Sequence, residues 1–103
     1  MNKRLGMLEK MVAAGQADSF AQYALALEYR RENRAEDALR TFVALRQSDA
    51  SYLPMYLMAG QLLRALERGP DAREWLEAGI VLAEGKGDVK ALGELQSELA
   101  QIG

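Results

Sequence analysis

One spacing constrains this chain more than any other feature. Leu25, Ala26, Tyr29, Ala38, Phe42 and Leu45 recur 34 residues later as Ala59, Gly60, Leu63, Ala72, Leu76 and Gly79. An offset held at all six places, across two stretches of helical periodicity with a short turn between, restricts the fold to stacked helix–turn–helix repeats. No stretch alternates as a strand would. One such repeat cannot bury its own apolar face, so its neighbours and end elements must cover it.

The period also orders the rest of the chain. Leu5, Leu8, Met11 and Val12 have helical spacing, and Leu8 and Met11 stand 34 before Phe42 and Leu45. Residues 3–14 therefore read as the second helix of a partial repeat, ended by Gly15 in a left-handed turn. Ser19 with Gln22 is a capping-box pattern for a helix running to about Glu32, with Asn33 suited to the turn after it. The partner helix spans about 35–47, where Ala38 allows close approach and Phe42 supplies volume. Ser51 is expected to cap the segment 52–67, with Pro54 in its first turn. That segment is apolar around nearly its whole circumference, so part of it is expected to face a partner. Gly69-Pro70-Asp71 starts the next helix with Pro70 at the first position, and Gly85 is expected to end it. Asp88 caps a last helix carrying Leu92, Leu95, Leu99 and Ile102, and Trp75 is expected to pack on Leu92 or Leu95.

On these residues, Gln22–Ala50 and Tyr56–Glu84 resemble two tetratricopeptide repeats. The resulting expectation is an all-α fold of antiparallel helix hairpins, a tetratricopeptide-like α-solenoid fragment of five helices. It is expected as a single domain over 1–103. Its parts are an N-terminal cap (1–17), repeat 1 (19–50), repeat 2 (52–85) and a C-terminal cap (88–103). At the place where the family often has a large aromatic stand Gln22 in one copy and Tyr56 in the other. The chain departs from the family pattern where Ala50 and Glu84 replace the closing proline.

The resemblance implies a protein–protein interaction module or adaptor, since the first helix of each pair in this family lines a concave groove. Carried over by position, the partner-binding face is Phe20, Tyr23, Leu27 and Arg30 in repeat 1. In repeat 2 it is Leu57, Met58, Gln61 and Arg64. The lysines and asparagines with which some members clamp the C-terminal carboxylate of chaperones are absent: Tyr23, Leu27, Leu57 and Gln61 stand there, and Lys90 reads as solvated. The partner expected is another protein, offered as a peptide or amphipathic helix and held by apolar contacts and arginine-bound carboxylates. The alternative is self-association, a weak homodimer formed through the apolar fourth segment and the C-terminal leucine stripe.

Composition removes other classes. A net charge of −2 lacks the positive surplus of a nucleic-acid-binding footprint. With no cysteine and no histidine, the commonest general base, nucleophile pairings and transition-metal ligands are missing. Gly85-Lys86-Gly87 lacks the spacing of a phosphate loop. No enzyme activity, cofactor or metal is expected. The apolar run after Met1-Asn2-Lys3-Arg4 is too short for a secretory signal, and nothing approaches a membrane span. A cytoplasmic protein is the default. Arg30, Arg31 and Arg34 cluster at one helix end, where they suit the helix dipole or form a rim for carboxylates.

Overall fold

Each apolar-periodic stretch folds as its own helix, and at four of the five junctions a residue with positive φ turns the chain. The computed structural model describes residues 2–102; Met1 and Gly103, which bound the expected end caps, lie outside them. The helices are α1 (Lys3–Ala13), α2 (Ser19–Arg31), α3 (Ala35–Ser48), α4 (Pro54–Ala65), α5 (Gly69–Lys86) and α6 (Val89–Leu99). No strand occurs among the described residues. The expected count of five is therefore one short. A cap at each end with two hairpins between needs six helices, and all six form.

Four helix ends close in the same way. Gly15, Asn33, Glu67 and Gly87 all have positive φ. After α2, the Asn33 amide donates to Arg30 (3.1 Å) and the Arg34 amide to Tyr29 (2.9 Å). After α4, Glu67 donates to Arg64 (3.0 Å) and Arg68 to Leu63 (2.9 Å). This paired closure satisfies carbonyls that the helix end leaves orphaned. Arg34 and Arg68 then begin α3 and α5 without a side-chain cap. Each reaches forward to an acid in the first turn: Arg34 Nε lies 2.8 Å from Asp37, and Arg68 Nη2 lies 3.2 Å from Asp71. The hairpin turn thus repeats in detail, down to an Arg–Asp pair.

Several expected boundaries move. Asp18, not Ser19, caps α2, accepting from the Ala21 amide at 2.8 Å. A carboxylate is the stronger acceptor at the positive end of a helix, and Ser19 instead donates to Asp49 at 2.6 Å. The cap of α4 is Leu53 rather than Ser51, and it makes no side-chain cap bond. Pro70 occupies the second position of α5, after Gly69, and that helix runs past Gly85 to Lys86. Gly87 supplies the left-handed turn that stops it. Asp88 caps α6 as its position suggests, accepting from Ala91 at 3.0 Å.

The helices group into two compact units, Met1–Ala50 and Ser51–Gly103. In the first, α2 packs on α3 and α1 on α2; in the second, α4, α5 and α6 pack on one another. Leu5 and Leu8 of α1 meet Ala21, Ala24 and Leu25 of α2, with Met11, Ala17 and Tyr29 around them. Ala26, Ala38, Phe42 and Leu45 are buried in the first unit, and Ala59, Leu63, Ala72 and Leu76 in the second. Two glycines in the second unit mark close helix approach. A Cβ on Gly60 would stand 2.5 Å from Leu76 Cδ2, and one on Gly79 would stand 2.7 Å from Tyr56 Cβ. Trp75 is buried with its ring centroid 5.8 Å from that of Tyr56.

Candidate functional site

Positions 20, 23, 27 and 30 of α2 follow the three-and-four spacing of one helix face. Phe20, Tyr23, Leu27 and Arg30 accordingly line one open groove of about 700 Å³ in the first unit. Ala24, Glu28 and Arg31 from the same helix and Arg4 from α1 complete it. Phe20 stands 65% exposed, while Tyr23, Leu27 and Arg30 are half-buried. Tyr23 leans on the core, with its centroid 6.4 Å from that of Phe42. The groove floor is thus apolar and fixed from below, and its rim carries arginine.

Glu28 organises that rim. It is 6% exposed and the one charged residue buried among those described. Burying a carboxylate is costly unless charge and hydrogen bonds compensate it. Arg4 Nε lies 3.2 Å from its Oε1, Arg31 Nη1 lies 3.4 Å from the same oxygen, and Asn2 Nδ2 donates to Oε2 at 3.0 Å. Asn2 also caps α1, its Oδ1 accepting from the Leu5 amide at 3.0 Å. One carboxylate therefore ties the start of α1 to α2 and sets two of the groove's arginines. Sequence reasoning missed this group. Its signal was a glutamate three and four residues past Leu25 and Ala24, on the face that must be buried.

The arginine cluster divides by task. Arg31 turns to Glu28, Arg30 lines the groove, and Arg34 pairs with Asp37 while standing 4.7 Å from the centre of the Tyr29 ring. The hydrogen bond from Arg34 holds the Asp37 carboxyl below its usual range, and the same bond raises the Arg34 guanidinium. Tyr29 donates its hydroxyl to Glu9 at 2.6 Å. Burial first, and then this bond to a carboxylate, push the phenol up to about 12. The raised value means that the fold favours neutral Tyr29. Its stabilising share is complete below about pH 10, the free phenol's value, and is lost as pH rises through about 12. In ultraviolet titration, the difference between wild type and Tyr29→Phe should show this phenolate forming about two pH units late. A difference curve centred near the free-phenol value would mean that neither the burial of Tyr29 nor its bond to Glu9 persists in solution.

In the second unit, Leu57, Gln61 and Arg64 of α4 line another open groove of about 700 Å³. Its far wall is α6, through Val89, Lys90, Gly93, Glu94, Ser97 and Glu98, with Gln101 beyond the helix end. Leu57, Met58 and Gln61 are half-buried, and Met58 lies outside the groove lining. Arg64 is ion-paired with Glu98. Four of the eight candidate residues thus meet in the first unit and three in the second. Glu98 in that wall stands 34 after Arg64, as Arg64 stands 34 after Arg30. Much of the apolar circumference of α4 is spent internally, on Met55, Tyr56, Ala59, Leu62 and Leu63.

Apolar floors edged by guanidinium can bind and orient a side chain or carboxylate. Among the described residues, no group of three His, Cys, Asp or Glu is placed to hold a metal ion, and no helix is long and apolar enough to cross a membrane.

Known structures resemble this chain closely. A tetratricopeptide repeat domain protein from Salinibacter ruber, solved in solution, is 35% identical over 82% of this chain and 86% of its own, with a TM-score of 0.78. A crystal structure of a tetratricopeptide repeat domain protein from that organism gives 35% identity over 84% of this chain and 96% of its own, again at 0.78. A solution structure of a Bordetella parapertussis protein is 25% identical over 99% of this chain and 89% of its own, with a TM-score of 0.83. No family model and no curated protein sequence matches the chain.

Proposed function

The chain belongs to the tetratricopeptide repeat family, and from that premise we propose that it binds another protein through the exposed faces of α2 and α4. The fold is that of a helical-repeat interaction module. The ligand is a peptide or an amphipathic helix that buries apolar side chains on Phe20, Tyr23 and Leu27 of the first unit or on Leu57 and Met58 of the second, while arginines hold its carboxylates. It acts in the cytoplasm as an adaptor, without a catalytic role. The observation that carries this reading is the α2 groove, where an exposed phenylalanine and half-buried Tyr23 and Leu27 stand beside three guanidiniums. Apolar contact supplies affinity there, and the arginines supply orientation and encounter rate. Arg64 contributes by exchanging Glu98 for a ligand carboxylate. Its side chain is 44% exposed, against 11% for that of Glu98, so the guanidinium has an open side toward a second carboxylate.

Partner capture from native lysate tests the reading when wild type is compared with two variants. Arg30→Gln/Arg64→Gln should melt like wild type yet capture less, with the deficit larger at low salt than at high. Leu57→Ser/Met58→Ser should also cut capture at little cost in stability, because both side chains are part-exposed. Capture that neither variant alters would take these faces out of the site. Self-association is the second reading, favoured by Val81 and Val89 of the second unit at 69% and 80% exposure. The molar mass in solution separates the two.

A further inference from the structure

The face with which α4 receives α5 recurs on α6 and is left open there. Stepped back 33 residues, Val89, Gly93 and Gln96 fall on Tyr56, Gly60 and Leu63 of α4. Those three are buried, whereas Val89, Gly93 and Gln96 are exposed, Val89 at 80%. A Cβ on Gly60 would strike Leu76 of α5, but one on Gly93 would find nothing within 4 Å. Glycine inside a helix costs stability against alanine. At Gly60 close approach of the next helix accounts for it, and at Gly93 no described neighbour does. What α6 turns to α5 is another face, that of Leu95, whose Cδ2 would lie 3.0 Å from a Cβ on Gly79. Within the first unit, α1 has the register of a second helix, with Leu8 and Met11 standing 34 before Phe42 and Leu45. Leu5 and Leu8 pack on α2. Lys3, Met7 and Lys10, on the opposite side by helical spacing, are exposed, Met7 at 57%.

We infer that a second copy of this chain docks its α1, antiparallel, on the open Val89–Gly93–Gln96 face of α6, so that the two helices form a hairpin between molecules. This goes beyond the groove reading and rests on the second one, self-association, to which it gives two surfaces. Charge selects the occupant. In residues 2–16, Lys3, Arg4 and Lys10 outnumber Glu9 by two, and in residues 88–102, Asp88, Glu94 and Glu98 outnumber Lys90 by two. Opposite surpluses of equal size draw α1 of one copy to α6 of another and keep like helices apart. The antiparallel sense suits the helix ends as well. It brings the first turn of α1, which has no acid, beside the last turn of α6, which has no base, so Lys3 meets the negative end of the α6 dipole. Met7 supplies an adaptable apolar side chain at the glycine. The two faces differ, so the contact is heterologous: every copy carries one of each, and association continues past a symmetric pair.

Sedimentation equilibrium of the full chain over a wide concentration range tests this. The wild-type mass should rise above 11.4 kDa with concentration, and added salt should reverse the rise. Met7→Glu and Val89→Glu change exposed side chains, so each should melt like wild type and each should stay monomeric. Mixed, the two variants should form a 1:1 dimer, because the intact α6 face of the first meets the intact α1 face of the second. Gly93→Leu separates docking from folding. It introduces a better helix former that strikes nothing in its own chain, so in dilute solution it should melt above wild type. It should nevertheless associate about tenfold or more weakly, because its side chain fills the seat of the second copy. A wild-type mass of 11.4 kDa at every concentration overturns the proposal and the self-association reading together. Assembly that Met7→Glu or Val89→Glu leaves intact, or two monomeric variants that do not pair when mixed, overturns the α1–α6 contact and leaves self-association to other surfaces. The groove reading is decided separately, by lysate capture.

Discussion

Phe42→Ala should destabilise the protein by about 3–5 kcal/mol, while Phe20→Ala should change its stability by no more than about 0.5 kcal/mol. The two are the chain's only phenylalanines, and both sit on helices. Their surroundings differ: Phe42 is 0% exposed and Phe20 65%. Cutting Phe42 to alanine removes its transfer free energy and leaves a cavity under Tyr23, whose ring rests 6.4 Å away, centre to centre. Cutting Phe20 opens no cavity. A domain of this size holds about 5–15 kcal/mol in all, so the first variant loses a large share of its stability. Its melting temperature should fall by roughly 10 °C or more. The urea midpoints of the two variants settle the matter, provided the slope stays near the wild-type value. Equal midpoints would mean that Phe42 is not the volume around which α2 and α3 close.

That contrast was legible in the sequence, because Phe42 lies in the 34-residue register and Phe20 lies off it. The same register marked Ala26, Ala38, Ala59 and Ala72, all of them fully buried. Helix ends were harder to read. Asp18 and Ser19 are adjacent and both are good caps; the choice was made by Asp49, which engages Ser19 from the end of α3. Glu67 is a poor left-handed residue by propensity, at a cost of about 1–3 kcal/mol. It adopts φ 59° nonetheless, because the same hairpin turn is imposed there as at Asn33. Local preference lost to tertiary packing at that point. The ties of the candidate site were hidden for another reason. The Glu28 group and the Arg64–Glu98 pair join residues on different helices, and their meeting depends on helix packing that no local pattern encodes. Gly85 and Gly87 were equally good stop signals, and Gly87 serves because α5 continues to Lys86.

The two close-approach glycines of the second unit should respond in opposite ways to relief of their neighbours. Leu76→Ala alone should cost about 2–5 kcal/mol, since Leu76 is 0% exposed. Gly60→Ala and Gly79→Ala should each cost about 1–3 kcal/mol by overpacking, less up to about 1 kcal/mol returned by the better helix former. What each new methyl group strikes is different. At Gly60 it would stand 2.5 Å from Leu76 Cδ2 and 2.7 Å from Cγ, both atoms that Leu76→Ala deletes. The pair Gly60→Ala/Leu76→Ala should therefore be more stable than the two costs added together, by a coupling of about 1–3 kcal/mol. At Gly79 the methyl group would stand 2.7 Å from Tyr56 Cβ, which alanine retains. Trimming the ring with Tyr56→Ala leaves that overlap in place and discards the packing on Trp75 at 5.8 Å. Gly79→Ala/Tyr56→Ala should show little or no rescue, because there the obstacle is the approach of α4 to α5 and not the reach of a side chain. Denaturant unfolding of the two double-mutant cycles reads both couplings. Rescue at Gly79 as large as that at Gly60 would mean that α4 and α5 can separate freely at Tyr56, and that the glycine there is not required by close approach.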